Sequence, residues 1–178
     1  MPVETDLIIE RGGNVTIVAA NLSLLDIAER GDELAAAIGA LPPVAWPPEH
    51  NDASMFAWVR RLIEQYPGET GYNTWFIVGG GMLCGTAGFK GPPGDDGSVE
   101  IGYSVIPEAQ RRGFASEAVE LLAARAFRDQ RVTAIRAETL LDGVASQAVL
   151  RRCGFGQTGL RHDPEDGDVV CFELSRAH

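Results

Sequence analysis

The chain has 178 residues, 45% hydrophobic and 22% charged, enough to bury one core and short for two, so a single domain over residues 1–178 is expected. A formal net charge of −10 excludes a general nucleic-acid binder, which needs clustered excess cations along a phosphate track. No run approaches the roughly 18 apolar residues of a membrane span, and the opening MPVETDLIIERGG lacks a basic stretch before an apolar one, so a cytoplasmic protein without membrane association is expected.

In chain order, VTIVAA (15–20) predicts a strand, with residues 7–9 a further candidate, and Ser23 is placed to cap an Ala-rich helix ending near Gly39. The prolines of LPPVAWPPEH remove backbone donors and fix φ, which makes residues 41–50 an ordered loop. Asp52 or Ser54 then caps a helix to about Tyr66, with Met55, Phe56, Val59, Leu62 and Ile63 on one face. NTWFIV and MLCGTAGFK, separated by three glycines, read as a hairpin, and GPPGDDG turns into a third strand, SVEIGYSVI, closed by Pro107. Residues 112–128 carry apolar positions at helical spacing. VTAIRAETL is a strand, Ala145 to Cys153 a helix stopped by Gly154, and FGQTGLRH with DVVCFEL a terminal hairpin. Cys84, Cys153 and Cys171 are odd in number and far apart, as expected of reduced structural thiols, and His50, His162 and His178 lack ligand spacing, so no metal is expected.

The chemistry-bearing feature is the strand EIGYSVIP running into QRRGFA and a long helix. The first turn of a helix has N–H groups without intrahelical acceptors and the positive end of the macrodipole, so it can collect a phosphate. Gly113 lets the backbone come close to such a ligand, small Ala115 and Ser116 keep the approach open, and Arg111 and Arg112 add cations at its rim. Arg125, Arg128, Arg131 and Arg136 follow closely, so a local anion site can sit inside an acidic protein.

The run Gln110-Arg111-Arg112-Gly113-Phe114-Ala115 resembles the signature Q/R-x-x-G-x-G/A of the GNAT superfamily of N-acetyltransferases. The preceding EIGYSVIPEAQ and the downstream ASQAVLRRCGF are similar to the same family at the expected distances, closest to its ribosomal-protein-alanine acetyltransferase-like branch. The resemblance covers roughly residues 73–174. It implies an α/β (α+β mixed sheet) GNAT-type acyl-CoA N-acyltransferase fold: a twisted, six- to seven-stranded, mostly antiparallel sheet with a splayed strand pair, flanked by about four helices. It also implies acetyl-CoA as co-substrate, a primary amine as acceptor, and direct attack in a ternary complex. The backbone of Tyr103, Ser104 and Val105 would hold the pantetheine arm, and Gln110, Arg111, Arg112, Gly113, Phe114, Ala115 and Ser116 the phosphates.

Glu100, a carboxylate inside an apolar strand, is the leading candidate for the base; the alternative is a solvent-facing residue or a partner of Arg136. Family members carry a tyrosine acid where this chain has Leu150, so that role is vacant, and Ser146 is left to supply a proton or a hydrogen bond at the sulfur, or merely to cap a helix. Gly143 stands where relatives have a pantetheine-binding asparagine. The acidic hairpin Asp163, Glu165, Asp166 and Asp168 reads as an acceptor wall or a solvated turn, and the Trp46 loop and Trp58 as acceptor wall or core. The rival to an acetyltransferase is a CoA-binding regulatory module that has lost catalysis. A homodimer is left open.

Overall fold

The computed structural model describes residues 6–177; His178 lies outside them. Among the described residues eight strands form one mixed sheet: β1 (Ile9–Arg11), β2 (Val15–Ala19), β3 (Thr74–Gly79), β4 (Met82–Phe89), β5 (Ser98–Val105), β6 (Ala134–Leu140), β7 (Gly156–Asp163) and β8 (Gly167–Ser175). Their order is β1-β2-β3-β4-β5-β6-β8-β7, and every pair is antiparallel except β5–β6. The sheet exceeds the expected six or seven strands because Ile9–Arg11 pairs with β2, Ile9 opposite Val18.

Five α-helices of the described residues flank the sheet, where about four were expected: α1 (Leu22–Leu25), α2 (Gly31–Ala37), α3 (Ala53–Gln65), α4 (Phe114–Arg128) and α5 (Val144–Arg152). The Ala-rich segment is two helices because the Trp46 indole N–H donates to the Ala28 carbonyl at 2.7 Å, claiming an acceptor that a continuous helix would have offered to the N–H of Asp32. The first helix is capped by Asn21 and not Ser23, its side chain accepting from the Leu24 N–H at 2.8 Å. Asp52 caps α3 through the Met55 N–H at 3.0 Å. No helix of the described residues is long and apolar enough to cross a membrane.

Strand alternation divides the core into two layers. On one face Val99, Ile101, Ile135 and Ala137 pack against Val119, Leu122 and Ala126 of α4 and Leu150 of α5. On the other, Phe76 and Leu83 meet Leu24, Leu34, Phe56 and Val59 of the first three helices. Helix α4 is the crossover that a parallel β5–β6 pair requires, and its start is pinned by Phe114, whose ring lies where a Cβ on Gly79 would come within 2.5 Å. The close approach requires glycine at that strand end.

Candidate functional site

Strands β5 and β6 pair only from Ser98↔Ala134 to Ile101↔Ala137, then part. Beyond that point β5 stays paired to β4 through Val105, and β6 stays paired to β8 through Leu140. A gap therefore opens between Gly102–Val105 and Glu138–Leu140, and it belongs to a cleft of about 970 Å³. Lys90 N–H donates to Glu100 O and Ile106 N–H to Cys84 O, so the backbone groups of even residues on β5 point to β4. By alternation those of Tyr103 and Val105 face the gap, while those of Ser104 do not. Ser104 thus departs from the expected trio, and its hydroxyl instead donates to Glu49 O at 3.1 Å, fastening the Pro-rich loop over the cleft. Gln110 likewise turns inward, its side-chain amide donating to Val105 O at 3.1 Å and holding the turn against the end of β5.

At the far end of the gap the chain passes through a left-handed Arg111 (φ 59°) and a left-handed Gly113 (φ 80°) into α4. Among the described residues, no N–H from Arg111 to Ser116 has a protein acceptor; the first intrahelical bond is Glu117 N–H to Gly113 O at 3.0 Å. Nothing lies within 4 Å of where a Gly113 Cβ would stand, so these donors face open space. Neither Arg111 nor Arg112 has a carboxylate partner among the described residues, and Arg112 rests over the Phe114 ring at 4.8 Å. The other arginines of the cluster are spent on structure: Arg125 and Arg128 on Glu10, Arg131 on Glu69 and Asp129, Arg136 on Asp96 and Glu173. Orphan N–H groups, two free cations and an open glycine turn suit a di- or triphosphate ester.

Across the mouth of the gap, the Tyr103 hydroxyl donates to Ser146 O at 2.8 Å, and burial pushes its phenol far above the ordinary range. Ser146 lines the cleft, and the N-cap of α5 is Gly143 with no side-chain cap, so capping is not its task. Leu150 is fully buried in the core and presents no hydroxyl to the cleft.

Glu100 stands apart from the cleft lining. It pairs with Lys90, and although Arg136 is its register partner on β6, that guanidinium goes to Asp96 and Glu173. The carboxylate that does line the cleft is Glu138, which the sequence reading missed. Arg161 donates to both its oxygens, Nε to Oε1 at 2.8 Å and Nη2 to Oε2 at 2.7 Å, and holds the acid below the ordinary carboxylate range. The same argument used for Glu100, a carboxylate inside an apolar strand, would have singled it out in AIRAETL.

The remaining candidates divide. Trp58, 38% exposed, and Met55 line the cleft, whereas Trp46 packs half-buried against the core. The acidic hairpin is a turn: Asp163 Oδ1 accepts from the Glu165 and Asp166 N–H groups at 2.9 and 3.0 Å, and His162 Nδ1 lies 2.9 Å from Asp168 Oδ1. Cys84 and Cys153 are free thiols that burial pushes up to about 11, and Cys171 is raised as well.

Residues 22–156 match the family model described as acetyltransferase (GNAT) domain. The chain belongs to the GNAT acetyltransferase family. It is an acyl-CoA-dependent N-acetyltransferase. Among sequence relatives, it is 28% identical over 138 residues to an uncharacterized N-acetyltransferase of Bacillus subtilis (strain 168), covering 76% of this chain and 82% of that one. A second Bacillus subtilis (strain 168) uncharacterized N-acetyltransferase is 36% identical over 78 residues, 44% of each chain. Among solved structures, this GNAT acetyltransferase has the fold of a ribosomal-protein alpha-N-acetyltransferase in complex with coenzyme A, at TM-score 0.71, 19% identity and coverage of 96% and 98% of the two chains. It is similar also to a microcin C7 self-immunity acetyltransferase in complex with acetyl-CoA and AMP, at TM-score 0.68, 17% identity and coverage of 93% and 94%.

Proposed function

We propose that this acetyltransferase moves the acetyl group of acetyl-CoA to a primary amine by direct attack within a ternary complex. The observation that carries the reading is the gap between Gly102–Val105 and Glu138–Leu140, which leads to the unpaired N–H groups of Arg111 to Ser116. Those N–H groups, with Arg111 and Arg112, would hold the pyrophosphate, and the gap-facing backbone of Tyr103 and Val105 the pantetheine arm, as a strand edge holds a peptide. That solved neighbours were crystallised with CoA or acetyl-CoA supports the same donor here.

When bound, acetyl-CoA supplies a thioester whose C–S bond breaks as the acceptor nitrogen's lone pair forms the new C–N bond, the electron pair leaving with sulfur. Glu138, ionised at neutral pH, orients the incoming ammonium, and its proton passes through Glu138 or water to solvent. Because Arg161 weakens Glu138 as a base, an α-amine suits the site better than a lysine: freeing the amine near pH 7 costs about 1 kcal/mol for a peptide α-amine and about 4 to 5 kcal/mol for lysine. Ser146, which lines the cleft, would lie near the leaving sulfur, where its hydroxyl could donate to the thiolate. A covalent cysteine is disfavoured by the raised pKa of Cys84 and Cys153.

Incubation with acetyl-CoA and a panel of amines, with thiol release followed, tests the reading. Amine-dependent release supports transfer; CoA binding without release from any amine points to a binding module, the reading that buried Leu150 favours.

A further inference from the structure

Resting on that reading, we propose that the acceptor is a small zwitterionic amine, an amino acid or close analogue whose anionic group lies a few bonds from the reacting nitrogen. The floor of the acceptor side is bare. Gly102 is opposite Gly88 on β4, and nothing lies within 4 Å of where a Gly102 Cβ would stand, so an acceptor reaches the gap over this strand without meeting a side chain. Continuing the β5–β6 register by one step past Ile101↔Ala137 sets Glu138 beside Gly102, on the far side of the gap.

Two opposite charges bound that floor, Lys90 and Glu138, and both line the cleft. The Lys90 ammonium has three N–H donors, of which the Glu100 carboxylate takes one; no other acceptor for them occurs among the described residues. Its side chain is 51% exposed, so it can add a ligand anion without giving up Glu100. Glu138 has the reverse arrangement: Arg161 takes one lone pair on each oxygen and the Cys171 thiol approaches Oε1 at 3.9 Å, which leaves Oε2 with a lone pair for an ammonium. Lys90 and Arg161 share three carboxylates, Glu100, Glu138 and Asp163, so the group as a whole draws in an ammonium, while Lys90 keeps donors for the carboxylate of a zwitterion. A diamine would set its second ammonium against Lys90 or Arg161, and an N-terminal peptide would bring no carboxylate to Lys90.

The same contact serves the chemistry. A free α-carboxylate makes the neighbouring amine more basic, and pairing that carboxylate with Lys90 removes the effect, easing release of the proton beside a weakened Glu138.

The test uses the full chain, acetyl-CoA and three matched series built on leucine, phenylalanine and glutamate: the amino acid, its α-methyl ester, the decarboxylated amine and a dipeptide beginning with that residue. Thiol release is measured, and CoA affinity by calorimetry serves as the folding control. In at least one series the amino acid is expected to exceed the other three in kcat/KM by at least about tenfold. Lys90→Met is expected to bring the amino acid down to the level of its ester. Release that is equal or faster with ester, amine or dipeptide in every series overturns the acceptor assignment alone, as does a Lys90→Met protein that lowers amino acid and ester alike. No release from any amine, with CoA bound, overturns the transfer reading and the assignment with it.

Discussion

The Tyr103 hydroxyl of β5 donates to the Ser146 carbonyl of α5 at 2.8 Å, tying together two elements that the parting of β5 and β6 would otherwise leave apart. Tyr103→Phe removes one hydrogen bond at a half-buried site and is expected to lower stability by about 1 kcal/mol, read as a fall in Tm. Because α5 then loses its tether at the mouth of the cleft, CoA affinity should fall several-fold in calorimetry. An unchanged affinity would show that the tether plays no part in shaping the gap.

Gly79 and Phe114 have the complementary relationship, contact in place of a hydrogen bond. A methyl group on Gly79 would meet the Phe114 ring at 2.5 Å, so Gly79→Ala should push the first turn of α4 off the sheet. Overpacking of this kind costs about 1–3 kcal/mol. Chemical denaturation should show the loss, and CoA affinity should drop with it because the displaced turn carries the unpaired N–H groups proposed to hold the phosphates.

Glu138 and Glu100 are separable by mutation. Glu138→Gln is expected to lower kcat/KM at least about tenfold with CoA affinity unchanged, whereas Glu100→Gln, paired outside the cleft lining with Lys90, should have the smaller effect. Since Glu138 lies below the ordinary carboxylate range, it is already ionised above about pH 5. The rate should therefore rise with pH as the acceptor amine is freed, with no acidic limb from Glu138 in that range.

At the acid end, stability should depend on pH through carboxylates that the fold holds ionised. The Ser98 hydrogen bonds hold Asp96 at about 2, and the N–H groups of Asp166 and Glu165 hold Asp163 at about 2. Both are depressed below the unfolded value of about 3.9, so their contribution is present above that pH and is lost as pH falls through the folded pKa. Thermal melts should be flat from pH 7 to about 5 and decline between about pH 4 and 2.

The turn from Gln110 to Ser116 was legible in the sequence, and the surroundings of Gly102 were not. Gln110 to Ser116 are consecutive, so a strand, a glycine turn and a helix start describe their geometry locally. The proposed acceptor floor draws on Lys90, Gly102 and Glu138, which come from different strands and meet only through sheet register. Glu100 and Arg136 are register partners, yet no sequence rule could say that Arg136 would turn to Asp96 and Glu173 and leave Glu100 to Lys90. The broken first helix was hidden for the same reason: its interruption is made by Trp46, far along the chain. Ser104 was misread because the strand's alternation decides which backbone groups face the gap, and that depends on which neighbour β5 pairs with first.

The central claim is that the N–H groups from Arg111 to Ser116 bind the phosphates of the acyl donor. Calorimetric titration of CoA into the chain and into its Gly113→Glu and Gly113→Ala variants tests it most directly. Both substitutions meet the same left-handed backbone, where no neighbour lies within 4 Å, so both should cost about 1 kcal/mol of stability. Only glutamate adds bulk and negative charge at the phosphates. Saturable binding to the unaltered chain, modest weakening in Gly113→Ala and no detectable binding in Gly113→Glu are expected; equal affinity in the folded Gly113→Glu protein would rule out phosphate binding at this turn.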